Sequence, residues 1–290
     1  MAADATLPPA SAPEAGDRLC AARGFLLDLD GTVFLGDRLI EGAARFLELL
    51  DAQQKPYLFI TNNSSKDRRL YAEKLRSLGL DVPAEQVFTS GEAAALFLAR
   101  TRPGARLFLA GTPSLEAEFA QHGFALQADS PEAVVLGYDT TLTYAKLSRL
   151  CRLVRAGLPY FATHPDINCP TPEGPVPDIG STIAFVRAST SREPDLIFGK
   201  PNREMVEMAA LRLGLVPGEL AVAGDRLYTD IALGNQAGIP TVLVLSGETQ
   251  SRDLQGSPFR PDYVFNHLGE AAGWLQACPP AADGSHPARP

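Results

Sequence analysis

The sequence has little of what would hold a small secreted scaffold together. Its four cysteines (Cys20, Cys151, Cys169 and Cys278) are scattered, with no CxxC pair and no histidine at metal-ligand spacing. That excludes a zinc site and predicts free thiols in a reducing compartment. No apolar run approaches the roughly 20 residues needed to cross a bilayer. Residues 1–17 lack both the basic start and the apolar stretch of a signal peptide. The expectation is a cytoplasmic protein with no membrane partner. A basic surplus is missing too: 26 Lys and Arg stand against 34 Asp and Glu, for a net charge of -8. Binding to a nucleic-acid backbone needs the opposite balance, so no nucleic-acid partner is expected.

What is present suits an ordinary soluble globular protein. At 290 residues, 45% hydrophobic and 21% charged, the chain is long enough to bury most of its apolar surface without staples. Residues 1–17 and 278–290 are rich in Ala and Pro and read as disordered tails, with His286 a solvated residue in the second.

Between the tails, short apolar runs alternate with segments of helical periodicity. Strands are predicted at Gly24–Leu29, Tyr57–Thr61, Val87–Thr89, Arg106–Ala110, Ala133–Gly137, Tyr160–Thr163, Leu196–Phe198, Leu220–Ala223, Thr241–Leu245 and Tyr263–Phe265. Several are apolar on consecutive residues, as strands buried on both faces of a parallel sheet must be. Tyr144, Leu147, Leu150, Cys151 and Val154 form one helical stripe, and Phe46, Leu47, Leu49 and Leu50 contribute to another. Such alternation implies an α/β fold with right-handed crossovers. Ligands of such folds bind beyond the carboxyl ends of the strands, and four polar clusters lie there.

The first, Phe25-Leu26-Leu27-Asp28-Leu29-Asp30-Gly31-Thr32, ends a strand with two carboxylates two positions apart, hence on one side of the extended chain. Like charges this close ask for a cation or a shared proton. Read alone, it is equally a strand ending in a solvated Asp-Gly turn. The second, Thr61-Asn62-Asn63-Ser64-Ser65, places hydroxyls and amides at a helix start. Ser64 or Ser65 is the expected N-cap, and a capped helix start is itself an anion site. In the third, Phe198-Gly199-Lys200-Pro201-Asn202, Lys200 precedes a helix whose first position accepts proline. The fourth, Gly224-Asp225-Arg226-Leu227-Tyr228-Thr229-Asp230, offers two more carboxylates, hard ligands suited to Mg²⁺. Asp230 also reads as a helix N-terminal acid favoured by the dipole.

Together, Asp-x-Asp-Gly-Thr, Thr-Asn-Asn, Gly-Lys-Pro and Gly-Asp-Arg-Leu-x-Thr-Asp resemble, in order, the four motifs of the haloacid dehalogenase superfamily. The likeness runs from about Arg23 to Leu275 and is strongest to the p-nitrophenylphosphatase-like branch. It implies a Rossmann-like, doubly wound parallel sheet core at 18–102 and 194–277, with a smaller α/β cap domain inserted at 103–193. It implies Mg²⁺ as cofactor and a small phosphorylated metabolite as substrate, hydrolysed through an aspartyl-phosphate. Asp28 would be the nucleophile and a metal ligand. Asp30 would be the general acid and base, binding metal through its main-chain oxygen. Thr61, Asn62 and Asn63 would hold the phosphoryl group, Lys200 would orient and neutralise it, and Asp225 and Asp230 would complete the metal site. Relatives often pair through their caps, which implies a homodimer.

Substrate choice is expected to lie in the cap. The segment Ala162 to Pro170 follows an apolar strand and carries His164 as a substrate-binding candidate; Gly137-Tyr138-Asp139 is a second such loop. For His164 and Asp139, local loop structure is an equal reading. The pyridoxal phosphate phosphatases have a histidine where this chain has Cys169, which argues against that substrate. A phosphotransferase or mutase would keep every motif and pass the phosphate to another hydroxyl. A dehalogenase would not need the metal carboxylates, and a binding-only descendant would have lost Asp28 or Lys200.

Overall fold

A computed structural model describes Pro13, residues 17–171 and residues 173–279. The readings for residues 1–12, 14–16 and 280–290, His286 included, lie outside the described residues. All ten predicted strands form, with ends within a residue or two of those expected. Four short pairing segments went unforeseen beside them, at Phe34–Leu35 with Arg38–Leu39 and at Asn168–Cys169 with Val176–Pro177. Two-residue strands carry no alternation to read. Ala125–Leu126, another two-residue strand, was missed for the same reason.

The chain divides into two compact units, residues 1–57 with 215–290 and residues 58–214. In the first, parallel strands run in the order Tyr263–Phe265, Thr241–Val244, Leu220–Gly224, Gly24–Asp28. Leu220–Gly224 is buried at every residue, and Phe25, Leu26 and Leu27 are fully enclosed. These runs are apolar on both faces because both faces are buried. Each large side chain so buried stabilises the fold by about 1.5–3 kcal/mol. Helices Ala43–Ala52 and Leu268–Gln276 pack on one another here. Phe46, Leu47 and Leu50 turn inward as the stripe requires, and Leu49 is half-buried.

The second unit carries five parallel strands in the order Leu196–Ile197, Tyr160–Ala162, Ala133–Leu136, Arg106–Ala110, Ala125–Leu126. A further parallel pair joins Phe59–Thr61 to Val87–Thr89. Helix Tyr144–Arg155 buries Leu150, Cys151 and Val154. Tyr144 falls off the stripe: it opens the helix and is 82% exposed. The expected α/β architecture with parallel sheets is therefore the one observed. Among the described residues, no helix is long and apolar enough to cross a membrane.

The expectation of four free thiols is corrected. Cys20 and Cys278 form a disulfide across 258 positions, with Cα atoms 5.7 Å apart, while Cys151 and Cys169 are free. Sequence spacing conveys nothing about such a pair, because it depends on the two ends of the first unit meeting in space. The Asp17 carboxylate accepting from Tyr263 Oη at 2.7 Å marks the same meeting.

Candidate active site

Register explains how the acids of the first unit meet. Leu27 pairs with Ala223, so Asp28 at one strand end lies level with Gly224, one residue before Asp225. Asp230 returns from a wide helical turn, Leu227–Ile231, that leads into helix Ala232–Ala237. One carboxylate oxygen from each of Asp28, Asp225 and Asp230 lies within 4.8 Å of the others. Asp225 is 2% exposed and Asp230 fully buried. Three carboxylates this close repel strongly unless a cation sits among them.

The surroundings fit a divalent cation. Asp225 Oδ2 accepts from the Glu248 backbone N–H at 2.7 Å, and Asp230 Oδ2 from Arg226 N and the Thr229 hydroxyl, each at 3.2 Å. These bonds fix the oxygens in place. Glycines leave the room: a Cβ on Gly31, which turns with φ +83°, would lie 2.3 Å from Asp225 Oδ2, and one on Gly247 2.0 Å from the same atom. Hard oxygen donors held apart in this way suit Mg²⁺ or Ca²⁺. Asp30 stands outside the trio, with an exposed side chain.

Beside the acids, Arg226 Nε meets Glu248 Oε2 at 2.9 Å, and the Tyr228 hydroxyl donates to Glu248 Oε1 at 2.8 Å. Burial works against the Arg226 charge, but Tyr228, Asp225, Glu248 and Asp28 hold its pKa above the ordinary range. Sequence reasoning missed Gly247 and Glu248. The available signal was their place, just past the strand that neighbours Leu220–Gly224.

The second unit gathers Thr61, Asn62, Asn63, Lys200 and His164. Lys200 is 4% exposed. Its backbone is gripped from both sides: Asn62 Oδ1 accepts from Lys200 N at 2.7 Å, and Asn62 Nδ2 donates to the Lys200 carbonyl at 2.9 Å. The same Nδ2 reaches the Asp166 carboxylate at 3.1 Å. Both ends of the Asn62 side-chain amide are thus engaged by protein groups. Thr61 Oγ1 accepts from Asn63 N at 3.2 Å, and Asn63 Oδ1 from Ser65 N and Oγ at 2.9 and 2.7 Å.

Two local expectations are corrected. Helix Arg68–Ser77 is capped by Asp67, which accepts from Arg69 N and Leu70 N, not by Ser64 or Ser65. Ser64 turns inward to Thr163 instead, at 2.9 Å. The Lys200-Pro201 peptide is cis, and the helix starts only at Glu204, so Pro201 belongs to the turn. His164 is fully enclosed with both ring nitrogens bonded to protein groups, as its local reading has it, because the chain past Tyr160–Ala162 directs it inward. Asp139 takes the local reading, paired with Lys146 at 2.8 Å.

Residues 25–125 match the family described as haloacid dehalogenase-like hydrolases, and residues 197–271 match a second, HAD-hydrolase-like description. An acid sugar phosphatase of Staphylococcus aureus is 34% identical over 88% of this chain and 98% of its own length. The chain belongs to the haloacid dehalogenase-like hydrolases. Among solved structures, a 4-nitrophenylphosphatase of Thermotoga maritima superposes with a TM-score of 0.84 at 48% identity, over 88% of this chain and 98% of its own. A glycerol phosphate phosphatase of Mycobacterium tuberculosis, in complex with calcium, superposes with a TM-score of 0.78 at 35% identity, over 87% of this chain and 75% of its own. Within the family the chain is a phosphatase of the p-nitrophenylphosphatase-like branch.

Proposed function

We propose that this enzyme hydrolyses phosphomonoesters of small metabolites, sugar and polyol phosphates foremost, through an aspartyl-phosphate on Asp28 and with Mg²⁺ as cofactor. The observation that carries the reading is the convergence of Asp28, Asp225 and Asp230 within 4.8 Å. Names of relatives support the substrate class: acid sugar phosphatase and glycerol phosphate phosphatase.

Asp28, Asp225 and Asp230 would hold the Mg²⁺. When bound, the ion offsets the carboxylates and the phosphoryl oxygens electrostatically. A carboxylate oxygen of Asp28 attacks phosphorus, and the bond from phosphorus to the ester oxygen breaks. Asp30 gives that oxygen a proton, releasing the alcohol. Asp30, now a carboxylate, takes a proton from water as the water oxygen attacks phosphorus. Inorganic phosphate leaves and Asp28 is restored. Splitting one displacement into two lowers each barrier. Positioned proton transfer adds about 10²–10⁴-fold. Lys200, fixed at its backbone, supplies the positive charge that phosphoryl transfer needs.

The test is a screen of the purified enzyme against nucleotides, sugar phosphates, glycerol phosphate, phosphoglycolate and p-nitrophenyl phosphate, with Mg²⁺ or with chelator. Phosphate release that needs Mg²⁺ and favours sugar or polyol esters is expected. Turnover undiminished in chelator would sink the metal assignment. Phosphate recovered on an added sugar acceptor, rather than free, would make the protein a phosphotransferase.

A further inference from the structure

His164 and Asp178 form a fully internal pair that the reaction above does not use. His164 Nε2 lies 3.0 Å from Asp178 Oδ1, with the two side chains 0% and 5% exposed. On the other side, His164 Nδ1 faces Thr163 Oγ1 at 3.1 Å and Ser90 Oγ at 3.3 Å. Ser90 spends its proton on the Asn62 carbonyl at 2.5 Å, and Ser64 Oγ accepts from Tyr138 N at 3.0 Å. One proton arrangement satisfies every group: Ser64 donates to Thr163, Thr163 to Nδ1, and Nε2–H to Asp178. Asp178 in turn caps helix Ile179–Thr190 by accepting from Ile179 N at 2.6 Å.

The network leads to the lysine. Asn62, whose carbonyl Ser90 holds, grips the Lys200 backbone from both sides. Gly199, immediately before it, donates to the Thr163 carbonyl at 2.6 Å. A Cβ on Gly199 would lie 2.6 Å from His164 Cβ and 2.6 Å from Asn62 Oδ1. His164 is therefore the floor on which the Gly199-Lys200 backbone rests. The ligand atoms of His164, Asp166 and Asp178 also lie within 4.8 Å of one another, a spacing compatible with a metal. Each residue already has a protein hydrogen-bond partner, however, as a positioning network requires.

We infer that His164 with Asp178 is a positioning pair that sets Lys200 through Ser90, Asn62 and Gly199, and so tunes phosphoryl transfer without touching substrate. The inference rests on the phosphatase reading, in which Lys200 offsets phosphoryl charge. Misplacing a reacting or charge-bearing group by about 1 Å costs on the order of 10²-fold in rate. A supporting residue should therefore show in turnover and not merely in folding.

The experiment measures kcat and KM on p-nitrophenyl phosphate with Mg²⁺ for the wild type, His164→Ala, His164→Asn, Asp178→Asn, Asn62→Ala and the His164→Ala/Asn62→Ala double variant. Circular dichroism checks that each is folded. His164→Ala and Asn62→Ala should each lower kcat roughly 10- to 100-fold, and the double variant should be no worse than the weaker single, because both losses act through Lys200. His164→Asn, which keeps a polar atom facing Thr163 and Ser90, should recover most of the loss. Should His164→Ala fail to fold, His164→Asn and Asp178→Asn with their Asn62→Ala doubles carry the same comparison. Losses that multiply in the doubles, a rise in KM at unchanged kcat, or unchanged kinetics in an active wild type would overturn the inference. A wild type inactive on every ester would instead bring down the phosphatase reading itself.

Discussion

Two groups of clustered acids, one in each unit, have different surroundings. Asp28, Asp225 and Asp230 converge within 4.8 Å among backbone donors and glycines. Glu92 and Glu118 in the second unit sit among guanidinium groups, with Glu92 3.7 Å from Arg68 and 3.3 Å from Arg212. Burial raises the pKa of Glu92 against the pull of both arginines. It pushes Glu118 further, to about 8, with the Glu92 charge adding to it. The first group gathers its oxygens around a space that suits a divalent ion, and the second is met by arginines and a proton. Clustering of acids is thus common to both; only the space and the oxygens turned into it mark a metal site.

Substituting Asp28 breaks the comparison most severely. Asp28→Asn removes the attacking oxygen and one of three like charges, and turnover should fall by at least about 10³-fold. Steady-state kinetics on p-nitrophenyl phosphate, with circular dichroism to check the fold, measure the loss. Normal activity from a folded Asp28→Asn protein would contradict the aspartyl-phosphate mechanism. Gly247→Ala attacks the space instead of the charge. The new methyl would lie 2.0 Å from Asp225 Oδ2, so the carboxylate must move. Overpacking of this kind costs about 1–3 kcal/mol, and a share of that spent on ligand geometry should raise the Mg²⁺ concentration for half-activation roughly tenfold. A Mg²⁺ titration of activity measures it; an unchanged midpoint would mean that Asp225 does not ligate the ion.

Much of this was legible in the sequence because its logic is local. Asp28 and Asp225 each follow an apolar run buried on both faces, so the strand and its functional end announce each other. Lys200 was found by its motif, but the Asn62 amide that grips its backbone lies 138 positions away. No spacing rule links such residues. The Cys20–Cys278 bond escaped for the same reason. His164 was noticed, but the sequence left its surroundings open between a substrate and the local structure. A histidine after a strand can turn out or in, and Asp178, the partner that holds it inside, sits 14 residues on behind a hairpin of two-residue strands.

Glu118 offers the finest test, because its acid is met by a proton and therefore answers to pH. Its folded pKa of about 8 stands above the ordinary 4.5. Between those values the folded protein keeps a proton that the unfolded chain has released. Its contribution to stability is fully present below pH 4.5 and is lost progressively as pH rises towards 8. Glu118→Gln replaces the protonated acid with a neutral group of the same shape, so that part of the slope should vanish. The variant should match the wild type near pH 4.5 and melt on the order of 2–4 °C higher at pH 8. Melts across that window, with chelator present to remove any contribution from ion binding at the aspartates, isolate the effect. A parallel offset at every pH would assign the gain to packing. A variant less stable at pH 8 would show that Arg68 holds Glu118 as a carboxylate, making the two acid groups more alike than their surroundings imply.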